Sequence, residues 1–237
     1  MNIVLITAGG LGERFGKEEP KQFCLVHNKP LIIHTLEKFD NHSQIDVIAV
    51  SCLEGWESKL WEYARQFGIR KLRHVVPGGA TNQESICHGV LELSKHYEID
   101  ANVLIHDAAR PLVTSEIITD CLRVIREHGN AVACIPCLEP LLRADAEGIS
   151  AQEYYPRNGL RRAQAPQGFK LGKLMWAHQQ AKARGIKDTT ASNVLMQILG
   201  EKIYFSQSST NNIKITTPDD KKFMEAWLRR DTQVNTI

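Results

Sequence analysis

The sequence predicts an α/β fold, a mostly parallel sheet with helices on both faces. Through the first half, short apolar runs alternate with longer amphipathic segments, the pattern of repeated strand–helix units. The first apolar run, Ile3-Val4-Leu5-Ile6-Thr7-Ala8, opens directly into the glycine-dense stretch Gly9-Gly10-Leu11-Gly12-Glu13-Arg14-Phe15-Gly16. A strand emptying into such a loop marks the edge at which open α/β sheets hold ligands. The 237 residues suit one sizeable α/β domain or two small ones, and 43% hydrophobic with 24% charged residues is an ordinary globular composition.

Strands are expected at 2–7, 45–52, 72–76, 101–106 and 131–135, each a short apolar run. Helices are expected between them. One covers 30–41 and opens with Pro30, whose fixed φ suits a helix start. The next are 54–67, then 82–97 behind the capping-box pattern Thr81-Asn82-Gln83-Glu84, then 115–128 with Thr114 as N-cap. From Pro136 to about Arg157 the alternation breaks. Leu138 to Leu142 and Gln152 to Tyr155 read as two strands, and Ala144-Asp145-Ala146-Glu147-Gly148 between them reads as a turn. The chain then predicts helices at 172–184 and 189–199, strands at 202–206 and near 213–216, and a last helix at 218–229 behind Thr217-Pro218-Asp219-Asp220. No repeat or low-complexity linker intervenes, so the expectation is one domain over 1–237 with an arm at about 136–157. Leu141, Leu142, Tyr154 and Tyr155 on the arm need a surface to cover them, and a second copy of the chain is the expected partner.

A formal net charge of +2 argues against a general nucleic-acid binder, so the basic groups that matter should be gathered at one site. No run approaches the roughly 20 apolar residues of a membrane span, and the N-terminal run lacks the basic residues of a secretory signal, so no membrane is expected and the cytoplasm is the expected location. The six cysteines mostly sit in apolar patterns and read as small hydrophobes. Cys134-Ile135-Pro136-Cys137 closes a strand instead of opening a helix, which is not the setting of a redox pair, and no second such pair completes a zinc site.

The glycine loop carries the chemistry. Glycines let backbone N–H groups converge on an anion, and Arg14 and then Lys21 of Pro20-Lys21-Gln22 add fixed positive charge, which describes a site for a nucleoside triphosphate. A dinucleotide fingerprint fits poorly, because Phe15 stands where it needs glycine and the second strand comes too late for its acidic residue. A P-loop is excluded, since no Gly-Lys-Ser/Thr follows. His106-Asp107-Ala108-Ala109-Arg110-Pro111 lies at another strand's C-terminal end, where an aspartate can hold Mg²⁺; Asp107 and Arg110 also read as a local ion pair. Pro77-Gly78-Gly79-Ala80 would let a flat base approach the backbone, with Ser85 one turn into the next helix. Arg157 can fork onto a second phosphate, while Arg161 and Arg162 can equally be solvated. Lys214 lies between Ile213 and Ile215 and points away from the core, a pattern usual for plain surface.

Taken together, Ala8-Gly9-Gly10-x-Gly12-x-Arg14 with Pro20-Lys21-Gln22, Gly78-Gly79 with Ser85, His106 to Pro111, Arg157-x-x-Leu160-x-x-Ala163-Gln164-x-Pro166-Gln167 and Asn212-Ile213-Lys214-Ile215-Thr216 resemble the 2-C-methyl-D-erythritol 4-phosphate cytidylyltransferase family, with its relatives acting on ribitol 5-phosphate. The motifs run in order from residue 8 to residue 216. The resemblance implies a Rossmann-like nucleotidyltransferase sheet, a homodimer clasped through the arm, and transfer of CMP from CTP to a polyol phosphate with release of pyrophosphate and with Mg²⁺ as cofactor. It implies that Arg14 and Lys21 contact the CTP phosphates and that Asp107 holds the metal. Ala8, Gly9, Gly10, Gly12, Gly79, Ser85 and Ala108 would line the nucleotide site. Arg157 and Lys214 would orient the acceptor phosphate, and Arg110 would reach the acceptor across the dimer.

Departures cluster on the acceptor side. Asn82 replaces a usual arginine, Glu139-Pro140 a usual Asp-Thr, Ala165 a usual threonine, and Asp188-Thr189 reverses a usual Thr-Asp. Ala80 resembles the ribitol enzymes, whereas Asp107-Ala108-Ala109-Arg110 and Ala163-Gln164 resemble the methylerythritol branch. The alternative reading is a CTP-binding homologue without catalysis, motivated by Asn82 and Pro140.

Overall fold

Seven strands form one twisted sheet, and the alternation of apolar side chains along them dictates what covers each face. In the computed structural model, which describes residues 1–10 and 20–234 with side chains to Arg229, the strands of this sheet are β1 (Asn2–Ala8), β4 (Val47–Cys52), β5 (Leu72–Pro77), β6 (Asn102–Asp107), β7 (Asn130–Pro136), β10 (Arg161–Lys170) and β11 (Phe205–Gln207). Their spatial order is β11-β7-β10-β6-β1-β4-β5. Successive side chains of a strand point to opposite faces. Val4, Ile6, Ile48, Val50 and Leu104 therefore pack with α1 (Leu31–Asp40), α2 (Glu57–Gln66) and α4 (Ser115–His128) on one face. Ile3, Leu5, Val47, Ala49 and Val103 pack with α3 (Asn82–Leu93), α5 (Leu171–Arg184) and α6 (Ser192–Ile198) on the other.

The strand pairs β1–β4, β1–β6, β4–β5 and β7–β11 are parallel, and β10 runs antiparallel to both β6 and β7. The chain leaves β1 toward β4 and β5 and then crosses back to β6 on β1's other side. The C-terminal ends of β1 and β6 thus flank the point where the winding reverses, the crevice in which such sheets bind ligands.

The five strands expected in the first half are present to within two residues at each end. The ten-residue strand β10 is the main correction, since no strand is predicted there. Its sequence, Arg161-Arg162-Ala163-Gln164-Ala165-Pro166-Gln167-Gly168-Phe169-Lys170, carries a proline and a glycine that argue against a central strand. The pairing with β7 breaks register between Ala163 and Gln167, and Pro166 occupies that break, where no ladder donor is needed. Buried Gly168 leaves room for the Ile125 side chain of α4.

Smaller differences follow from local bonding. Residues 213–216 form no strand, because Ile215 N–H donates to the loop carbonyl of Ala109 (2.7 Å) and not to a ladder. α6 begins at Ser192, α3 ends at Leu93, and the last helix, α7 (Pro218–Val234), runs past its expected end. Lys21–Phe23 forms a single tight helical turn, followed by the short pair β2 (Leu25–Val26) and β3 (Lys29–Pro30). Thr81 caps α3 by accepting from Glu84 N–H (3.1 Å), but the Glu84 carboxylate returns to Ala80 N–H (2.9 Å), one residue earlier than a standard box. None of the six cysteines is in a disulfide, and burial pushes the Cys134 thiol up to about 11, in keeping with a packing role.

The arm is a separate hairpin, β8 (Leu141–Ala144) paired with β9 (Ala151–Tyr155), and every residue from 138 to 159 is exposed. Its first strand begins three residues later than expected, past Pro140. Among the described residues no helix is long and apolar enough to cross a membrane.

Candidate active site

Three chain segments meet at the C-terminal end of β1, and small residues allow it. A Cβ on Gly9 would lie 2.9 Å from Ser85 Oγ, so the first loop can approach α3 this closely only as glycine. Ser85 Oγ is spent on the backbone: it accepts from Gly79 N–H and donates to Thr81 C=O, both at 3.0 Å. It thereby closes the Gly78-Gly79 turn against the start of α3 and is buried beneath it. Gln22, also buried, donates from Nε2 to the carbonyls of Ala8 (2.7 Å) and Gly10 (3.1 Å). The chain returning from residues 11–19 is thus tied back to the loop it left. Phe23 anchors the same turn by stacking on Trp56 at 4.5 Å. Lys21 is held between these anchors and lines the resulting cavity.

The second half of the site is a charge cluster at the end of β6. Asp107 Oδ2 accepts from Arg110 Nε and Oδ1 accepts from Lys214 Nζ, each at 2.7 Å. Burial would push the Asp107 carboxyl up, but the two flanking cations overcome it and hold the carboxyl well below its ordinary value, so it is an anion at any neutral pH. Arg110 is braced by its Nη1 bond to Asn212 C=O (2.8 Å), and Asn212 Nδ2 donates to Ala165 C=O (2.7 Å). Ile215 is fully buried with Ala109, Leu112 and Met224 of α7, which fixes the half-exposed Lys214 beside Asp107. Thr35 of α1 donates to Ala108 C=O (2.7 Å) and holds the turn from below. His106 packs against Phe39 with Nε2 3.1 Å from Arg110 C=O, and burial lowers its pKa to about 4, so it adds no charge to the cluster.

Two adjoining cavities of about 270 Å³ each result, as bounded by the described residues. The first brings together Ala8, Gly9, Gly10, Lys21, Gly79, Ser85, Asp107, Ala108 and Lys214, all expected at the site, with the N-terminal residues Thr81 and Asn82 of α3. The second shares Thr7, Asn82, Asp107, Thr190 and Lys214 with it and adds Arg110, Gln164, Ser192 and Asn193. Gln164 Oε1, Ser192 Oγ and Asn193 Oδ1 have no protein partner among the described residues. These are hydrogen-bonding groups suited to a polar second ligand.

Gly12 and Arg14 lie outside the described residues. Arg110, expected to act across a dimer, lines this chain's own second cavity. Arg157 is not brought to either cavity: it sits at the base of the arm and donates to Leu138 C=O (3.0 Å). Gln22 and Thr190 belong to stretches that stand out in the sequence without revealing a site role of their own, whereas Ser192 and Asn193 do not stand out at all. Gln22 is a buried amide amid a motif, a signal that was available. Ser192 and Asn193 carry no spacing that distinguishes them from an ordinary helix start.

The profile of the family described as 2-C-methyl-D-erythritol 4-phosphate cytidylyltransferase matches residues 2–230. The chain belongs to this family. A ribitol-5-phosphate cytidylyltransferase of Lacticaseibacillus paracasei is 41% identical over 231 residues, covering 97% of this chain and 98% of that protein. A 2-C-methyl-D-erythritol 4-phosphate cytidylyltransferase of Clostridium botulinum is 36% identical over 231 residues, covering 98% and 99%. The crystal structure of the Thermus thermophilus 2-C-methyl-D-erythritol 4-phosphate cytidylyltransferase superposes with a TM-score of 0.75 at 26% identity, over 97% of this chain and all of that one. The chain is therefore a nucleotidyltransferase that carries out CTP-dependent cytidylyl transfer to a polyol phosphate.

Proposed function

We propose that the acceptor is ribitol 5-phosphate, that CTP occupies the first cavity and the acceptor the second, and that the products are CDP-ribitol and pyrophosphate. The observation that carries the site assignment is the convergence of Lys21, Asp107, Lys214, the Gly9-Gly10 backbone and the start of α3 on one cavity. The choice of acceptor is supported by the 41% identity to a ribitol-5-phosphate enzyme, against 36% to a methylerythritol one, and by Ala80 lining the first cavity.

The chemistry asks little of a general base. An acceptor phosphate is already an anionic nucleophile, and one of its oxygens attacks the α-phosphorus of CTP while the bond to the β-phosphate oxygen breaks. What opposes the reaction is repulsion between two anions and charge building on the leaving pyrophosphate. Positioning and electrostatic stabilisation therefore supply the catalysis. Lys21 neutralises charge on the triphosphate, and Arg14 is proposed to do the same. Lys214 lines both cavities and Arg110 the second, and together they draw the acceptor phosphate toward the α-phosphate. The glycine loop, packed on Ser85, leaves the base a flat approach.

Asp107 fits a Mg²⁺ ligand. It is ionised, it offers hard oxygens, and each oxygen accepts a single hydrogen bond, which leaves a lone pair on each. When bound, the ion would screen the phosphates and polarise the α-phosphorus. A lone protein carboxylate matches the habit of Mg²⁺ of taking its other ligands from phosphates and water. The exposed arm is proposed to clasp a second copy, and Arg157 at its base is proposed to act on the partner's acceptor site.

Pyrophosphate release with CTP, Mg²⁺ and each polyol phosphate tests this reading. Ribitol 5-phosphate is expected to exceed methylerythritol 4-phosphate in kcat/KM by at least about tenfold. The reverse preference overturns the acceptor assignment. CTP binding by calorimetry with no release from any acceptor favours the binding-only reading.

A further inference from the structure

Outside the cleft, the described residues bring one other set of metal-ligating side chains together. His74 lies on β5, the edge strand of the sheet, Glu92 lies in the last turn of α3, at the end far from the nucleotide cavity, and His96 lies in the turn that follows it. We propose that His74, Glu92 and His96 form a binding site for a divalent transition cation of the zinc class, with a water in the fourth position.

The ligand atoms of the three residues lie within 4.8 Å of one another, with His96 Nε2 3.1 Å and His74 Nδ1 3.8 Å from the same oxygen, Glu92 Oε1. Tetrahedral zinc, with ligand bonds of about 2.0–2.2 Å, needs its ligand atoms about 3.3 Å apart. The observed separations depart from that spacing by at most about 1.5 Å, within the reach of side-chain rotation. Glu92 and His96 are four residues apart, and the turn that carries His96 is held to the helix end by His96 N–H donating to Leu93 C=O (3.0 Å).

Two neighbours prepare the ligands. His74 Nε2 is 2.8 Å from Tyr97 Oη. A ring N–H donated to that oxygen leaves Nδ1 unprotonated and aimed at Glu92, the outer-shell bond by which metal-binding histidines are usually oriented. Lys95 Nζ takes Glu92 Oε2 (2.8 Å), which turns the other oxygen toward the two imidazoles. The His74 and His96 rings also lie against each other with centroids 4.6 Å apart. Two nitrogens and one carboxylate suit zinc, nickel or copper and do not suit Mg²⁺. The site is separate from Asp107 and does not rest on the proposed function. A bound ion would pin the C-terminal end of α3 to the edge strand, while the other end of α3 forms the nucleotide cavity.

Calorimetric titration of the chelator-treated protein with ZnCl₂ tests this. One tight site is expected, with a rise in the unfolding temperature on zinc addition. Tyr97→Phe should weaken binding about tenfold, and His96→Ala or Glu92→Gln, which remove a ligand itself, at least about a hundredfold. Asp107→Asn and His88→Ala should bind zinc as the unmodified protein does, which separates this site from the catalytic carboxylate and from any exposed imidazole. Co²⁺ in place of zinc should give the strong visible bands of a four-coordinate site, absent in His96→Ala. Equal zinc affinity in the unmodified protein and His96→Ala, or loss of binding in Asp107→Asn, overturns the proposal. Normal CTP turnover with Mg²⁺ in His96→Ala confirms that the variant is folded.

Discussion

At the scale of single residues, the site is an arrangement of charge around one carboxylate. Lys21 lines the cavity that also holds Asp107 and Lys214, so removing it takes away the proposed charge partner of the phosphates without leaving a buried hole. Lys21→Ala should lower kcat at least about a hundredfold while leaving the unfolding transition in place. Near-normal turnover would remove its proposed role. Two buried histidines make a separate prediction about pH. Burial lowers the pKa of both His106 and His178 to about 4 from an ordinary value of 6.5. The unfolded chain therefore takes up protons that the folded chain refuses. Stability is complete above the unfolded value and falls as pH drops through the window between the two values. At 1.36 kcal/mol per pKa unit, each histidine accounts for at most about 3 kcal/mol of that loss. Urea unfolding should show falling stability between pH 6.5 and pH 4. His178→Leu, at a site where Nε2 has no partner, should flatten the profile. Asp107 acts at lower pH: its carboxyl is depressed, so its contribution disappears only as pH falls below the ordinary carboxylate range.

Elements set the distances that make those charges useful. Gly9 leaves no room for a Cβ beside Ser85, and Ser85 holds both Gly79 and Thr81, so the loop after β1 is packed directly on the start of α3. Gly9→Ala should force these two segments apart and weaken CTP binding at least about tenfold, with a smaller effect on the unfolding midpoint. Calorimetry of CTP binding together with thermal unfolding checks the split. Thr81→Ala removes the cap that accepts from Glu84 N–H and should cost about 1 kcal/mol of stability. Because α3 begins at the cavity, its fraying should also raise the KM for CTP. Lys214 shows a different dependence on elements: no strand carries it, and its place comes from Ile215 packing beneath Ala109 and from one backbone bond.

At the scale of the whole molecule, the arm is the part that does not complete itself. Leu142 and Tyr154 are 68% and 69% exposed, and they pair across the hairpin to present one apolar face. The chain leaves β7 at Pro136, makes the hairpin, and returns opposite the same residue at Arg161. The arm is thus a paired hairpin of its own, set on short connections from the ends of two sheet strands. Sedimentation should show a dimer, and Leu142→Glu combined with Tyr154→Glu should give a folded monomer. If Arg157 serves the partner's acceptor site, that monomer should bind CTP normally but lose turnover. A double variant that remains dimeric counts against the clasp.

The sequence by itself determined the alternating strands and helices, the glycine loop with its neighbouring cations, and the carboxylate at a strand end. These are local patterns: the periodicity of burial and the chemistry of short motifs are written in consecutive residues. Pairing across the sheet was decided only in three dimensions. β10 is a strand because β6 and β7 supply ladders on both sides and a register break absorbs Pro166, and nothing in its own residues favours that conformation. The second cavity follows from the same cause, since Gln164 on β10 meets Ser192 and Asn193 only when β10 is in place. Lys214 beside Asp107, like His74 beside Glu92, joins residues far apart in the chain, and such contacts depend on topology, which local preference does not encode.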